Sequence, residues 1–181
     1  MFFVRITPQN LPETGLDGFI RTQVVARSYR RGDDGEYRLA ETPFTDDWTP
    51  SRKREKAREL TSADRIAFGA FENDRLVGFS CLLRATKGSR AILDSMHVSK
   101  DFRGRGIGRR LFFMAAKAAR EMGAEEMMIS ACPSEETIAF YRAMGAKVTD
   151  NPIPEMAEEE PFDLQMSLSL RQTDFLNEEK P

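Results

Sequence analysis

The six residues Arg103-Gly104-Arg105-Gly106-Ile107-Gly108 constrain this 181-residue chain more than any other segment. They stand where one periodicity ends and another begins. Before them, Ala91 to Val98 (AILDSMHV) reads as a strand. After them, apolar residues recur at Ile107, Leu111, Met114, Ala115, Ala118 and Met122, the spacing of one helix face, with Arg109, Arg110, Lys117, Arg120 and Glu121 on the other side. Glycines at such a turn let the backbone bend tightly and approach a ligand with no Cβ in the way. The helix that follows offers amides without intrahelical partners and a partial positive charge. Together these features suit a phosphate or pyrophosphate, and four arginines (103, 105, 109 and 110) add local positive charge. The plainer alternative is a turn with solvated arginines. Two familiar phosphate loops do not match. No Lys-Ser/Thr pair follows the glycines, as a Walker loop requires. A G-x-G-x-x-G dinucleotide fingerprint starting at Gly104 would need glycine at position 109, which is arginine.

The remaining segments read as short elements. Phe2 to Ile6 suggests an edge strand and Leu16 to Arg21 a brief helix. Residues 24–39 suggest a hairpin around Gly32-Asp33-Asp34-Gly35, followed by the Pro43–Pro50 stretch that holds Trp48. A charged helix is expected from Ser51 to Leu60, with Ser51 as N-cap. Arg65–Phe71, Leu76–Arg84 and Ala91–Val98, joined by short links, suggest an antiparallel meander. Past the glycine loop, Gly123 ends the long helix, Glu126–Ala131 is a strand, and Pro133-Ser134 opens a helix ending near Gly145. Lys147–Thr149 reads as a short strand, 150–161 as an acidic proline-containing loop, and Phe162–Leu168 as a final strand. The expected organisation is one domain over 1–181, with an acceptor-side portion at 1–64, a core at 65–149, a loop and final strand at 150–170 and a polar tail at 171–181.

Composition narrows the chemistry. Two cysteines without a CxxC pair and a single histidine, His97, leave little for a disulfide framework, a zinc site or a His-based triad. Lys plus Arg (27) nearly balances Asp plus Glu (29), for a formal net charge of -2, so nucleic acid is not an expected partner. No apolar run reaches the ~18 residues of a membrane span, and the start MFFVRITPQN is unlike a secretory signal. A cytoplasmic protein without a metal is the expectation.

Arg103-x-x-Gly106-x-Gly108, followed at a distance by Ser134-x-x-Thr137-x-x-Phe140-Tyr141-x-x-x-Gly145, resembles the paired signature of the GNAT superfamily of N-acetyltransferases. The second block differs from the usual family pattern by serine for asparagine and threonine for alanine. The likeness is close over about 65–149; the N-terminal portion and the ending EPFDLQMSLSL resemble one bacterial branch. The resemblance implies an α/β (α+β) fold with flanking helices and a mixed central sheet that splays at its fourth core strand, AILDSMHV. It also implies acetyl-CoA as cofactor. The pyrophosphate would lie on Arg103, Gly104, Arg105, Gly106, Ile107, Gly108 and Arg109, the pantetheine arm would pair with the backbone of Met96 and Val98, and Ser134 would add a contact. A possible homodimer and a small-molecule or peptide amine as acceptor are further expectations, with direct transfer in a ternary complex.

Transfer to an amine needs a base, because an alkylammonium with pKa ~10.4 is no nucleophile. It also needs donors for the oxyanion and a proton for the thiolate. Tyr141 stands at the position of the tyrosine that serves many relatives as general acid. Asp94 is the candidate base, sharing one strand face with Ile92 and Met96, directly or through water. His97 should point to the opposite face unless a bulge intervenes. Trp48, Phe44 and Tyr29 are candidate acceptor-pocket residues, or core. The acidic run Glu155–Glu160 could draw a cationic acceptor. The alternative class of function is a non-catalytic acyl-CoA-binding module of the same fold; a nucleotide-binding module fits less well.

Overall fold

The computed structural model describes residues 1–171. The stretch expected from the meander carries the architecture. Strands β1 (Phe2–Arg5), β4 (Arg65–Glu72), β5 (Arg75–Leu83), β6 (Arg90–Val98), β7 (Glu126–Ala131), β8 (Lys147–Val148) and β9 (Leu164–Ser169) form one sheet in the order β1-β4-β5-β6-β7-β9-β8. All pairs are antiparallel except β6–β7, which is parallel. Asn73 and Asp74 join β4 to β5 with positive φ angles of 49° and 60°, as a tight two-residue hairpin demands.

A second, two-stranded sheet pairs β2 (Gln23–Arg31) with β3 (Tyr37–Asp46). It runs well beyond the expected 24–39 hairpin. Pro43, which signalled a break in sequence, sits beside the register shift between Val25 and Arg27, where no ladder N–H is required of it. The brief helix expected at Leu16–Arg21 is instead a series of turns, with Gly15, Asp17 and Phe19 amides donating to carbonyls three residues back. Leu16 and Phe19 are fully buried there, so burial of two side chains, not helical propagation, shapes the segment.

Helices cover both faces of the large sheet. α2 (Ile107–Glu121) buries Ile107, Leu111, Phe112, Ala115, Ala116, Ala118 and Ala119 against the sheet, the stripe its periodicity promised. α3 (Glu135–Ala143) packs on the same cluster through Ile138 and Tyr141. On the opposite face, α1 (Pro50–Thr61) joins Leu11, Leu16, Phe19, Phe79 and Cys81. Thr49, not Ser51, caps α1: its hydroxyl accepts from the Arg52 amide at 3.2 Å, which places Pro50 at the first helical position. The expected 150–161 loop contains α4 (Pro154–Glu159). Buried Ile153 and Met156 pin it, and Gln165 exchanges hydrogen bonds with the Ile153 backbone at 2.7 and 2.8 Å. The final strand starts at Leu164, later than expected, and leaves Phe162 exposed. The expected polar tail lies almost wholly outside the described residues. No helix among the described residues is long and apolar enough to cross a membrane.

One irregularity positions the site. β6 pairs with β7 only from Arg90↔Glu126 to Leu93↔Ile129, yet β6 continues to Val98. Its β5 side stays paired to Val98. Among the described residues, the other edge of 95–98 meets no strand. The sheet therefore opens after its fourth strand in spatial order, leaving backbone polar groups along one edge that demand partners.

Candidate active site

The opening is a cavity of about 650 Å³. Its floor is Leu93–Val98 of β6, and Ser130 of β7 with Cys132 forms one wall. Thr137, Phe140 and Tyr141 of α3 line it from one side, Arg52 and Lys56 of α1 from another. The hairpin contributes Gln23, Val24 and Asp46, and Arg21, Trp48, Arg103, Gly108, Glu136, Glu160 and Asp163 complete the lining.

The glycine turn lies at one end. Gly104 and Gly106 take φ angles of +75° and +76°, a region that side chains rarely adopt, and nothing lies within 4 Å of where a Cβ would stand on either. Gly106 is the N-cap of α2, and its carbonyl accepts the first helical bond from Arg110 at 3.1 Å. The amides of Ile107, Gly108 and Arg109 thus precede the helical ladder. A Cβ on Gly108 would come within 3.4 Å of Phe140 and 3.6 Å of Val98, so glycine lets the start of α2 nestle between α3 and β6. Not every arginine of the motif points outward. Arg103 donates from Nε to the Val98 carbonyl at 3.0 Å and from Nη2 to the Arg21 carbonyl at 3.1 Å, bracing the turn. Arg105 donates to the Asp101 carbonyl and lies over Phe102; Arg109 lies over Phe113 and Arg110 over Phe3.

Tyr141, Asp94, Met96, Val98, Arg103 and Gly108 all border this cavity, as a shared site requires. Tyr141 is buried, tilted against Phe112 and edge-on to Phe140. Burial above all, then the Asp163 charge, pushes its phenol well above the ordinary tyrosine value, so the hydroxyl keeps its proton.

Asp94 departs from the simple alternation expected of it. The β5–β6 register shifts between Cys81↔Ser95 and Leu82↔Leu93, which leaves Asp94 as the extra residue of a bulge. The bulge brings Asp94 and His97 to one cavity despite their odd spacing. Asp94 lies 3.7 Å from Lys56 Nζ and 3.5 Å from Arg65 Nη2, and it accepts from the Ser95 hydroxyl. Lys56, itself buried, also pairs with Glu59. His97 packs edge-on against Trp48 and Phe79 at 4.9 and 5.4 Å. Burial first, then Arg21, Lys56, Arg103 and Arg52, holds its pKa well below the ordinary histidine value, so the ring is neutral at pH 7.

Ser134 is placed differently from the expectation. It is fully buried and is the N-cap of α3, accepting from the Thr137 amide at 3.2 Å. It also accepts from Gln23 Nε2 at 3.1 Å. With its hydroxyl committed inside the fold, it secures the helix carrying Tyr141 and presents no open face to a ligand. Tyr29 likewise turns away, accepting from Arg142 at 3.1 Å, and Phe44 is not among the lining residues; Trp48 is. Cys132 borders the cavity with its thiol pKa raised chiefly by burial, while Cys81 is buried and pushed up to about 12.

Three lining residues carried no signal in the sequence. Arg21 is buried, pairs with Asp46 at 2.5 Å and lies over the Trp48 ring, with its Nε unpartnered. The Ser130 hydroxyl, just past the last β6–β7 pair, is buried and unpartnered. Asp163 reaches the cavity because β9 runs antiparallel to β7. Burial, then the charges of Glu160 and Asp46, pushes its carboxyl up to about 7. Only a search for pairs across the final strand could have found it.

Comparison with known proteins gives a consistent result. The family model described as the acetyltransferase (GNAT) family matches residues 34–146. In fold the chain is similar to nourseothricin acetyltransferase, with TM-score 0.72 and 20% identity over 93% of this chain and 98% of that one. It is also similar to a protein from Bacillus anthracis assigned as a streptothricin acetyltransferase and solved with acetyl coenzyme A (TM-score 0.67, 15% identity, 93% and 99% covered). An aminoglycoside 6'-N-acetyltransferase solved with coenzyme A gives TM-score 0.64 at 17% identity, with 95% and 98% covered. At these identities the likeness is one of fold. No curated protein matches the chain.

Proposed function

The chain belongs to the acetyltransferase (GNAT) family, and from that premise we propose that it moves the acetyl group of acetyl-CoA directly to a primary amine held in the same cavity. The observation that carries this reading is the open edge of β6 running from the glycine turn to Tyr141. A pantetheine arm is an extended chain of amides, able to serve that edge as a missing strand would through Met96 and Val98. At one end its pyrophosphate would meet the amides of 107–109 and the positive end of α2, with the open space over Gly104 and Gly106 admitting it. At the other end the thioester would lie in the opening between β6 and β7.

Tyr141 is suited to protonate the departing sulfur. Burial keeps its phenol protonated and disfavours a free thiolate beside it; the phenol gives its proton to sulfur as the C–S bond breaks and recovers one from the amine nitrogen, so neither group is left charged. A backbone amide of the open β6 edge would stabilise the oxyanion. Asp94 stands between two cations, Lys56 at 3.7 Å and Arg65 at 3.5 Å. In this reading it orients Lys56 and water at the cavity floor. The unpaired Ser130 hydroxyl would find its partner in the acyl group or the amine.

The test is thiol release from acetyl-CoA with 1,4-diaminobutane, L-lysine, benzylamine and 2-deoxystreptamine as acceptors. Release that requires both the protein and an amine supports the reading. Tight binding of acetyl-CoA with no release for any amine would instead favour a binding module of the same fold.

A further inference from the structure

Asp163 lies one residue before β9. The pair Ala131↔Leu164 ends the β7–β9 ladder, so Asp163 emerges beside Cys132, at the end of the sheet where β6 and β7 have parted. It faces the cavity with Tyr141. The charged and titratable groups around it are Asp46 from β3, Glu160 from the end of α4, Cys132 after β7 and Tyr141 from α3. Arg21, the nearby cation, is already engaged by Asp46. Among the described residues the Asp163 carboxylate meets no hydrogen-bond donor and no cation. Asp94, by contrast, has Lys56 and Arg65. A half-buried carboxylate surrounded by acids and left without a cation is costly for the fold unless a cation arrives from outside.

Resting on the acetyl-transfer reading above, we propose that Asp163 receives the ammonium group of the acceptor and takes its proton. The ammonium is the cation the pocket lacks, and Asp46 and Glu160 reinforce its attraction. The N–H electron pair stays on nitrogen as the proton passes to the Asp163 carboxylate, giving a neutral amine and a carboxylic acid. The amine lone pair then forms the C–N bond to the thioester carbon, and the C=O pair moves to oxygen. As the carbonyl re-forms, the C–S bond breaks. Sulfur takes the Tyr141 proton, and the phenolate takes the second proton from nitrogen. Asp163 returns its proton to water, so one ammonium and one thioester become one amide, one thiol and one released proton. Because burial and its acidic neighbours push Asp163 up to about 7, its conjugate base is strong enough for this step at neutral pH while remaining half populated.

The experiment measures kcat/KM against pH with acetyl-CoA and whichever of the four amines named above gives the fastest thiol release. In the parent the activity rises with pH through an ionisation near 7. Asp163→Asn lowers kcat/KM by ~100-fold or more and abolishes that rise, while leaving acetyl-CoA affinity unchanged. Asp163→Glu recovers part of the activity, with the rise displaced along the pH axis. An Asp163→Asn protein that keeps parental activity or the parental pH rise overturns the assignment. If that variant does not fold, an Asp163→Glu protein with an undisplaced pH rise overturns it instead. Absence of thiol release from the parent with all four amines overturns the acetyl-transfer reading itself, and is thereby distinct from a failure confined to Asp163.

Discussion

The side-chain amide of Gln23 donates to the Ser134 hydroxyl at 3.1 Å and so ties the first residue of β2 to the cap of α3. The same strand is stitched to this corner by the Tyr29 amide, which donates to the Pro133 carbonyl at 2.8 Å. The hairpin wall of the cavity and the helix carrying Tyr141 are therefore one mechanical unit. Gln23→Ala removes the side-chain tie and leaves the cap. Stability should fall by about 1 kcal/mol, and the KM for the amine should rise with little change in that for acetyl-CoA. Thermal melts and steady-state kinetics check both. Ser134→Ala removes tie and cap together and should cost about 1–2 kcal/mol.

Tyr141→Phe keeps the ring that packs on Phe112 and Phe140 and deletes only the hydroxyl. The fold and acetyl-CoA affinity should persist, while kcat falls by ~100-fold or more. Isothermal titration with acetyl-CoA separates the two effects. An unchanged kcat would remove Tyr141 from the chemistry.

Gly106→Ala places a side chain on a left-handed residue with open space around it. The backbone strain should cost about 1–2 kcal/mol. Gly123, at φ +85° beyond the other end of α2 and equally open, supplies the control. Gly123→Ala should lose similar stability yet bind coenzyme A like the parent. Gly106→Ala should bind it at least ~10-fold more weakly, because its methyl group intrudes where the pyrophosphate would lie.

Asp163 makes stability depend on pH in a direction unusual for a carboxylate. Its carboxyl is pushed up to about 7 in the fold and titrates near ~3.9 in the unfolded chain. The folded state thus holds the proton more tightly. The contribution is fully present below the unfolded value and is lost as pH rises through 7. Asp163→Asn stays neutral at every pH. Its melting temperature should match the parent near pH 4 and exceed it by several degrees at pH 8. A constant difference across that range would refute the shift.

Much of this was legible in the residues themselves. The switch from alternation to helical spacing at Ile107 located α2 correctly, and Phe140-Tyr141-Gly145 placed the buried tyrosine. The meander followed from its short links. What escaped depended on register. The bulge at Asp94 arises from how β5 and β6 align, which a one-dimensional pattern does not encode. Pro43 looked like a boundary because proline usually is one, yet it falls beside the irregularity that tolerates it. The 150–161 stretch looked like a loop because it is acidic and proline-rich, while two buried side chains and Gln165 hold a helical turn there. Asp163 has no local signature, since its place at the cavity comes from the pairing of β9 with β7.

The early end of the β6–β7 ladder has a bearing on how the protein keeps company with itself. A sheet interrupted midway, with one edge of 95–98 meeting no strand among the described residues, is a template for any extended chain that fits. When the donor is scarce, that gap is available to another copy's peptide, and concentrated ligand-free protein should clump where ligand-saturated protein stays dispersed.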